Sequence, residues 1–336
     1  AEALNARGLA KAALRQLEAA EADYNAAIKL RPDFHDAIYN KSYTQLEHGD
    51  FAGGWQGYEH RFNVPTLGIL PLTGIPEWTG LPVAGDLLIR GEQGLKDQIL
   101  FGSVLPSLLV VQDRVILQLE KRLVPLFARS FPTVRVIGMN EKLPVTAEAQ
   151  MSIGSLPRYF RRSKADFSGV CAPYLVADHS QVADFREKLT GGAARCVIGL
   201  SWRSFNNRFT DHKSMALSDL APLFNLPNVS VVDLQYGETS QEKRLAQDCG
   251  CQFNNAVRVD LTKDIDGLAS LISACDVIVT VSNTTAHIAG ALGKPVLLML
   301  PHRTGKLWYW SEAQGEGSLW YPSIKTFHQS AQGDWA

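Results

Sequence analysis

The sequence lacks the features that mark several large classes of protein. Its five cysteines are odd in number and include no C-x-x-C pair, so we expect neither a disulfide framework nor a zinc site. Lysine and arginine together number 33, against 34 for aspartate and glutamate, and this balance gives no net field to attract nucleic acid. No apolar run approaches the roughly 18 residues that a membrane-spanning helix needs. These absences predict a cytoplasmic protein with reduced thiols, no nucleic-acid partner and no transmembrane segment.

The chain is long for a single hydrophobic core. It has 336 residues, of which 46% are hydrophobic and 20% charged, so there is enough apolar surface for two or three folded units. The Ala-rich, amphipathic residues 1–30 differ from a signal peptide. Because the sequence does not begin with Met, we expect further residues upstream in the natural protein.

Residues 1–62 are predicted to be helical. A shift of 34 residues places Ser42, Gly54 and Tyr58 at the positions of Gly8, Ala20 and Tyr24. This spacing resembles tetratricopeptide repeats, which are pairs of packed helices. Because such repeats need neighbours, two of them must cap another domain or continue an array, and they can recruit a protein partner or acceptor. The alternative is an ordinary helical hairpin packed on the next domain.

A Pro/Gly-rich connector, Pro65–Pro82, separates this helical segment from an alternating pattern. Short apolar runs alternate with helix-length stretches, which is typical of buried parallel strands in βαβ units. The predicted strands are 86–90, 115–119, 134–137, 197–200, 229–234, 277–281 and 296–300. They predict an α/β fold of two doubly wound lobes, residues 63–190 and 191–336, with a helix at 181–189 near the joint. Ligands of such folds bind at the carboxyl ends of the strands, and we expect the site in the cleft between the lobes.

Val277–Pro301 carries the strongest local pattern: a buried strand, the polar turn Ser282–Thr285, a helix of small residues and a second strand. Backbone N–H groups at a helix start favour anions, so Ser282, Asn283, Thr284 and Thr285 are candidate ligands of a diphosphate. His287, in the first turn, is a further candidate donor. The alternative is an ordinary N-cap with His287 as a packing residue.

The loop Gly91–Asp97 follows the first predicted strand and precedes a helix. Asp97 is a candidate general base. Its neighbour Lys96 is expected to lower the pKa of the carboxyl and so to weaken it as a base. The alternative is that Asp97 only complements the dipole of the helix.

Cations and amides also follow the strands of the second lobe. Arg203, Arg208 and Lys213 come after the strand at 197–200, where they are candidates for neutralising a diphosphate. Gln235, after the strand at 229–234, is a candidate contact for a base or ribose. The alternatives are a solvated basic loop and a plain turn.

These segments resemble the heptosyltransferase-like glycosyltransferases (glycosyltransferase family 9-like). Residues 282–295 match D-T-x-x-A-H-L-A-G-A-L-G-x-P, with Ser282 in place of the aspartate. Residues 92–101 match E-Q-G-x-G-D-x-[IL]-x-F, with Lys96 in place of the second glycine, and residues 199–204 are similar to G-[LI]-x-W-x-G. The tail is similar to W-Y-P-[ST]-x-x-x-F-R-Q, with His328 in place of the arginine. Its aromatic residues are expected to be packing anchors: Trp308, Tyr309, Trp310, Trp320 and Tyr321.

The resemblance implies a GT-B-like pair of Rossmann-like domains and an inverting, metal-independent transfer of a hexosyl or heptosyl group. The donor would be a nucleotide sugar, no separate cofactor would be needed, and the acceptor would be a hydroxyl of a glycan, lipid or protein. Asp97 would take the acceptor proton. The residues of the turn, with His287, Arg203, Lys213 and Gln235, would hold the donor, and Glu92, Gln93, Gly94 and Lys96 would form the acceptor-lobe loop.

Two other functions fit the sequence. The first is a non-catalytic module that binds a nucleotide sugar or a protein, and it is favoured by the departures at Lys96 and Ser282. The second is a sugar-nucleotide epimerase, which would convert the donor without any acceptor.

Overall fold

The computed structural model describes residues 1–69, 71–72, 74–142, 147–169, 173–193, 195–205, 210–247, 250–310 and 317–335. Arg208 lies outside these residues. The chain divides into two compact units. The first contains Ala1–Lys121, Thr133–Cys171 and Arg303–Ala313, and the second contains Arg122–Pro132, Ala172–His302 and Gln314–Ala336.

The described residues form helices and strands in a largely alternating order. The helices are α1 Glu2–Ala13, α2 Leu17–Leu30, α3 His35–His48, α4 Phe51–Tyr58, α5 Leu95–Gly102, α6 Leu105–Val111, α7 Val124–Ser130, α8 Pro157–Phe160, α9 His179–Thr190, α10 Thr210–Lys213, α11 Ala221–Phe224, α12 Ser240–Gln247, α13 Ile265–Ala274 and α14 Thr284–Ala291. The strands are β1 Asp86–Arg90, β2 Val115–Leu119, β3 Arg135–Gly138, β4 Ala147–Ser152, β5 Cys196–Ser201, β6 Val229–Asp233, β7 Val277–Val281, β8 Val296–Leu300 and β9 Ile324–His328.

The predicted helical segment at the N-terminal end is confirmed as four consecutive helices, α1 to α4. Gly8 lets α1 lie directly against the ring of Tyr24 in α2, because a Cβ atom at Gly8 would be only 2.5 Å from Cε1 of that ring. α3 ends at His48 and is capped by Gly49, whose φ of 86° is left-handed. α4 starts where the Asp50 carboxylate accepts the Gly53 N–H at 3.0 Å. The assignment of these helices to tetratricopeptide repeats stays a prediction.

The first unit contains a parallel sheet with the strand order β3-β2-β1-β4. β1 pairs with β2 in the register Leu88 to Ile116. Leu88, Ile116 and Ile137 are buried together on one face of the sheet. Strands with apolar centres, such as β1 and β2, are stable when both faces of the sheet are covered.

The second part of the helical segment shares its core with the first sheet. Trp55 of α4 donates its indole N–H to the Arg161 carbonyl at 2.7 Å. Its ring lies 5.4 Å from the ring of Trp308 and 6.3 Å from that of Phe101 in α5. Aromatic groups of this size bury large apolar areas. The residues from α3 onward are therefore packed as part of the first unit, and the domain boundaries drawn from the sequence stay predictions.

The second unit contains a parallel sheet with the strand order β6-β5-β7-β8-β9. Leu200, Val231 and Val281 belong to one buried cluster on this sheet, together with Trp202 just beyond β5. The two sheets confirm the predicted α/β fold.

All seven predicted strands are present, each within one residue of its predicted ends. β4 and β9 were not predicted. The helix predicted at 181–189 is α9. The aromatic residues of the tail are buried, as predicted. Among the described residues, no helix is both long and apolar enough to cross a membrane.

Candidate functional site

Each sheet has one place where the direction of strand order reverses. In the first sheet the chain leaves β1 for β2 on one side and later adds β4 on the other side. In the second sheet it leaves β5 for β6 and later adds β7 on the opposite side. Loops separate at such switch points, and open α/β sheets bind their ligands there, outside the carboxyl ends of the strands. The loops after β1, β5 and β7 are the ones in which the sequence places candidate ligands.

Glu92, directly after β1, forms a buried ion pair with Arg61. Nε and Nη2 of Arg61 donate to the Glu92 carboxylate at 3.0 and 2.8 Å. The Gly154 N–H, beyond β4, donates to the same carboxylate at 3.0 Å. Because a buried charge is stable only when it is paired, Glu92 joins the helical segment to both loops of the switch point. The structure thus gives Glu92 a structural role, and its contact with a ligand stays a prediction.

Gln93 and Gly94 shape the turn into α5. Gln93 has a left-handed φ of 55° and donates Nε2–H to the Tyr58 hydroxyl at 2.7 Å. Gly94 is the N-cap residue of α5, and its N–H donates to Oδ2 of Asp97 at 3.2 Å. These contacts orient the Asp97 carboxylate by a backbone amide and connect the turn to α4.

Asp97 and Lys96 lie in the first turn of α5 with their charged groups near each other. Nζ of Lys96 is 3.9 Å from Oδ1 of Asp97 and donates to the Tyr309 hydroxyl at 3.5 Å. The Asp97 side chain is 14% exposed. Tyr309 comes from the 303–313 segment of the first unit, and sequence reasoning did not connect it to the base.

The electrostatic effect of this arrangement differs from the expectation. Lys96 does lower the pKa of Asp97, as do hydrogen bonds from backbone amides, but desolvation by burial is larger, and the pKa of the carboxyl is raised above its usual value. The expectation that the pKa of Asp97 is lowered overall is wrong, because the sequence shows the neighbouring cation Lys96 but does not show that the carboxyl is desolvated. A raised pKa makes a carboxylate a stronger base.

Phenol groups of three segments surround this pair. Tyr43 of α3 and Tyr58 of α4 have ring centroids 6.2 Å apart, and the rings of Tyr43 and Trp308 are separated by the same distance. Burial raises the pKa of Tyr43 and Tyr58, and that of Tyr309 to about 12. The phenols are therefore neutral at physiological pH. No local pattern in the sequence could have assigned these tyrosines to the loop.

A hydrogen-bond network joins the strand ends at the second switch point. Asn283 donates Nδ2–H to the Ser201 hydroxyl at 2.8 Å and to the Arg203 carbonyl at 3.3 Å. Its Oδ1 accepts the Ala286 N–H at 3.2 Å. Asn283 is therefore the N-cap of α14 and also holds α14 to the loop after β5.

Gln235, after β6, belongs to the same network. Its Oε1 accepts the backbone N–H groups of Trp202 and Arg203 at 2.9 and 2.7 Å. Its Nε2 donates to the carbonyls of Arg203 and Tyr236 at 3.2 and 3.0 Å. Because the side-chain amide of Gln235 is hydrogen-bonded to these backbone groups, the structure gives it a role in positioning the Arg203 loop. Its contact with a nucleotide stays a prediction.

Arg203 and Lys213 are the described cations of this site. The Arg203 guanidinium pairs with Glu242 of α12 and lies 4.4 Å from the centroid of the Phe205 ring. Lys213 is only 1% exposed, so the alternative of a solvated basic loop does not hold for this residue, and its contact with a diphosphate stays a prediction. Sequence reasoning missed Glu242, which also accepts the Trp202 indole N–H at 2.6 Å.

The predicted anion turn precedes and begins α14. Ser282, Asn283, Thr285 and His287 are buried, and Thr284 is half-buried. Nδ1 of His287 lies 2.9 Å from the Tyr321 hydroxyl. The Thr285 hydroxyl has no hydrogen-bond partner among the described residues. The predicted helix start is confirmed at Thr284, with Asn283 as its N-cap, while the diphosphate contacts of these residues stay predictions.

No protein-family model matches the sequence. Protein FlbA of Caulobacter vibrioides is 28% identical over 369 residues. This match covers 99% of the present chain, which spans only 59% of the length of FlbA.

A solved structure of glycosyl transferase family 9 from Veillonella parvula aligns with a TM-score of 0.50 and 11% identity, over 77% of this chain and 90% of that one. The fold is GT-B-like. The Escherichia coli ADP-heptose LPS heptosyltransferase II aligns over 72% of this chain and 90% of its own, with a TM-score of 0.47 and 14% identity.

This GT-B-like chain brings its candidate residues together in two groups. The first group, in the first unit, is Glu92, Gln93, Gly94, Lys96 and Asp97. The second group, in the second unit, comprises the turn at α14, the Arg203 loop and Gln235, which hydrogen bonds join; Lys213 lies in α10 of the same unit. Within the described ranges, no group of three or more His, Cys, Asp or Glu side chains could hold a metal ion.

Proposed function

We propose that this chain is a glycosyltransferase that moves a sugar from a nucleotide sugar to an acceptor hydroxyl, with inversion and without a bound metal. The observation that carries this proposal is the mostly buried carboxylate of Asp97, with a side chain 14% exposed, at a switch point of a GT-B-like fold. A hexosyl or heptosyl donor, a cytoplasmic location and a protein partner or acceptor at the helical segment belong to the same proposal.

Asp97 is the proposed general base. In an inverting transfer, the acceptor oxygen attacks the sugar carbon while the bond to the diphosphate breaks, and the acceptor proton leaves to a base. One well-placed base is enough for this single displacement. The raised pKa supports Asp97 in that role, since an effective base has a pKa closer to neutral pH than an ordinary carboxylate.

The second switch point is the proposed donor site. A leaving diphosphate carries the developing negative charge, so fixed positive charge near it lowers the barrier. Arg203, Lys213 and the N-terminal end of α14 can supply that charge without a metal. The buried Thr285 hydroxyl, which has no partner within the described chain, supports a ligand at this end of α14.

Donor binding is tested by thermal unfolding with UDP-, GDP-, CMP- and ADP-sugars. A donor present at 100 times its dissociation constant stabilises the protein by about 2.7 kcal/mol. We expect one nucleotide to raise the unfolding temperature, and Arg203→Gln to weaken its binding about tenfold, or about 1.4 kcal/mol. Arg244→Gln, at an exposed position of α12, is the matched control. If no nucleotide sugar stabilises the chain, the proposal is wrong.

Turnover is tested by mass spectrometry of donor and acceptor panels. We expect Asp97→Asn to lower the rate about 100-fold or more, because general bases contribute at least this much, while donor binding persists. Conversion of the donor without any acceptor would instead identify an epimerase.

A second candidate function is a non-catalytic nucleotide-sugar-binding or protein-interaction module. It is favoured by the burial of Ser282, Asn283, Thr285 and His287 and by the internal hydrogen bonds of Asn283. Such a module would bind donors without turnover in any acceptor panel.

A further inference from the structure

Lys96 occupies a position where a cation is unfavourable for the helix. It is the second residue of α5, where the aligned peptide dipoles place partial positive charge. An ammonium there needs anionic or polar partners. The fold provides them, because Nζ lies 3.9 Å from Oδ1 of Asp97 and 3.5 Å from the Tyr309 hydroxyl, with the Tyr309 ring centroid at 5.6 Å.

We propose that Lys96 is a positioning residue for the base: anchored by Tyr309, its ammonium keeps Asp97, which the Gly94 N–H orients, in the carboxylate form that accepts the proton of the acceptor hydroxyl. This inference rests on the proposed transferase function. It assigns a role in the reaction to Lys96, whose presence in the sequence favours a non-catalytic module.

The distances show that Lys96 can stabilise the charge of Asp97 without making a hydrogen bond to its carboxylate. Oδ2 of Asp97 accepts the Gly94 N–H at 3.2 Å. The ammonium approaches Oδ1, but 3.9 Å is longer than a hydrogen bond. Its charge therefore acts through space, and it does not use the oxygen's hydrogen-bonding capacity.

Charge compensation is needed at this position because burial opposes ionisation. A buried carboxyl group without a cationic partner takes up a proton instead of keeping its charge. The other titratable groups that influence Asp97 or are influenced by it are Tyr43 of α3, Tyr58 of α4 and Tyr309. Their raised pKa values keep them neutral at physiological pH. Lys96 stays charged there, because its hydrogen bond to the Tyr309 hydroxyl and the charge of Asp97 help to keep its pKa above the ordinary value for lysine despite burial.

Lys96→Met, Lys96→Arg and Tyr309→Phe test the inference through the pH dependence of kcat/KM. Lys96→Met removes the charge and keeps an unbranched side chain that is only one atom shorter. An opposite charge at this distance lowers a carboxyl pKa by about 1 unit or more, so we expect the acid limb of the Lys96→Met profile to move up by about 1 unit. Lys96→Arg should keep the wild-type limb. Tyr309→Phe, which keeps the charge but loses the anchor, should fall between them.

A second readout does not depend on turnover. In protein labelled with ¹³C at the aspartate carboxyl carbons, the Asp97 resonance is assigned by its loss in Asp97→Asn, and its titration is followed in wild type and Lys96→Met. We expect a higher midpoint in Lys96→Met. Because Lys96 is partly exposed, this variant should fold, and its thermal midpoint checks that. If it does not fold, the comparison of wild type with Tyr309→Phe decides.

The outcomes separate the two proposals. Turnover in wild type, with the same pH limb and the same Asp97 midpoint in Lys96→Met, would overturn the role of Lys96 and leave the transferase function standing. A faster Lys96→Met enzyme at every pH would do the same. A raised midpoint without turnover in any donor and acceptor combination would overturn the transferase function and keep the charge coupling.

Discussion

At the scale of single residues, Asp97 at the start of α5 is a carboxylate whose ionised form destabilises the folded protein. Asp97 has an ordinary sequence context for a helix start, yet burial raises its pKa. Each unit by which folding raises the pKa of a carboxyl costs about 1.4 kcal/mol once the group is ionised. A group kept at such a cost is characteristic of functional sites.

Asp97→Asn is therefore expected to stabilise the protein at neutral pH. Since the folded-state pKa of Asp97 lies above its unfolded value of about 3.9, the folded state binds the proton more tightly, and stability falls as the pH rises from the unfolded value through the folded value. The introduced asparagine does not ionise, so the Asp97→Asn variant does not lose stability in this way as the pH rises. Urea unfolding should show a larger free energy of unfolding than wild type at pH 7, and a smaller difference near pH 4.

The matched control is Asp50→Asn, which also replaces an aspartate at a helix start in the first unit. Asparagine and aspartate are nearly equivalent as N-caps, so this change should have little effect at pH 7. A stability of Asp97→Asn equal to or below that of wild type at neutral pH would contradict the argument.

At the scale of elements, the sequence predicts best what burial alone determines. β1, β2, β5, β7 and β8 each contain a run of at least three apolar residues, and their observed ends lie within one residue of the predicted ends. β4 carries Glu148 and Gln150 among small residues, and β9 carries Lys325 and Thr326, so neither has the run of a buried strand. These strands are defined by pairing with β1 and β8, which is a tertiary property.

The same distinction applies to the candidate site. The positions of Asp97, Arg203 and the Ser282–Thr285 turn follow from polar residues after apolar runs, and all of them lie at strand ends or helix starts. Their partners do not follow from local pattern. Tyr309 is 213 residues from Lys96, and Arg61 reaches Glu92 from another helical segment. The sequence therefore predicts the location of the loops but not their electrostatics.

Asn283 is expected to contribute more to stability than an ordinary helix N-cap. Asn283→Ala removes the acceptor for the Ala286 N–H and the donors to Ser201 and Arg203. Loss of a cap costs about 1 kcal/mol, and the lost bridging bonds add to this because they are buried. We expect a larger loss of unfolding free energy than this cap value, together with weaker binding of the nucleotide that stabilises wild type.

Asp178→Ala is the comparison, since Asp178 caps α9 through the N–H groups of Ser180 and Gln181 at a half-buried position. It should lose only the cap and keep nucleotide binding. Equal losses of stability and of affinity in both variants would show that Asn283 acts as a simple cap.

At the scale of the whole molecule, we expect that the first two helices can be removed without loss of folding, whereas the whole helical segment cannot. α1 and α2 pack mainly on each other, whereas residues from α3 to Arg61 contribute to the core of the first unit. Removal of residues 1–33 should leave a cooperatively folded protein. Removal of residues 1–62 should not, because it leaves the Glu92 charge without its partner and uncovers Trp308.

Circular dichroism and thermal unfolding of the two truncated proteins check this expectation. Cooperative unfolding of the protein without residues 1–62, at the wild-type temperature, would show that the helices are an independent domain. Loss of folding in the shorter truncation would show that the array is indivisible.

The chain path of the first unit has a consequence for how the protein is made. Arg303–Ala313 belongs to this unit, and Tyr309 within it is the anchor of Lys96. Domains near the start of a chain generally fold while synthesis continues, but the core of this one is complete only after Arg303–Ala313 has left the ribosome. Until then, the aromatic faces that Trp308 later covers are open to chaperones, and splitting the gene between the two sheets would yield a first half that never completes its core.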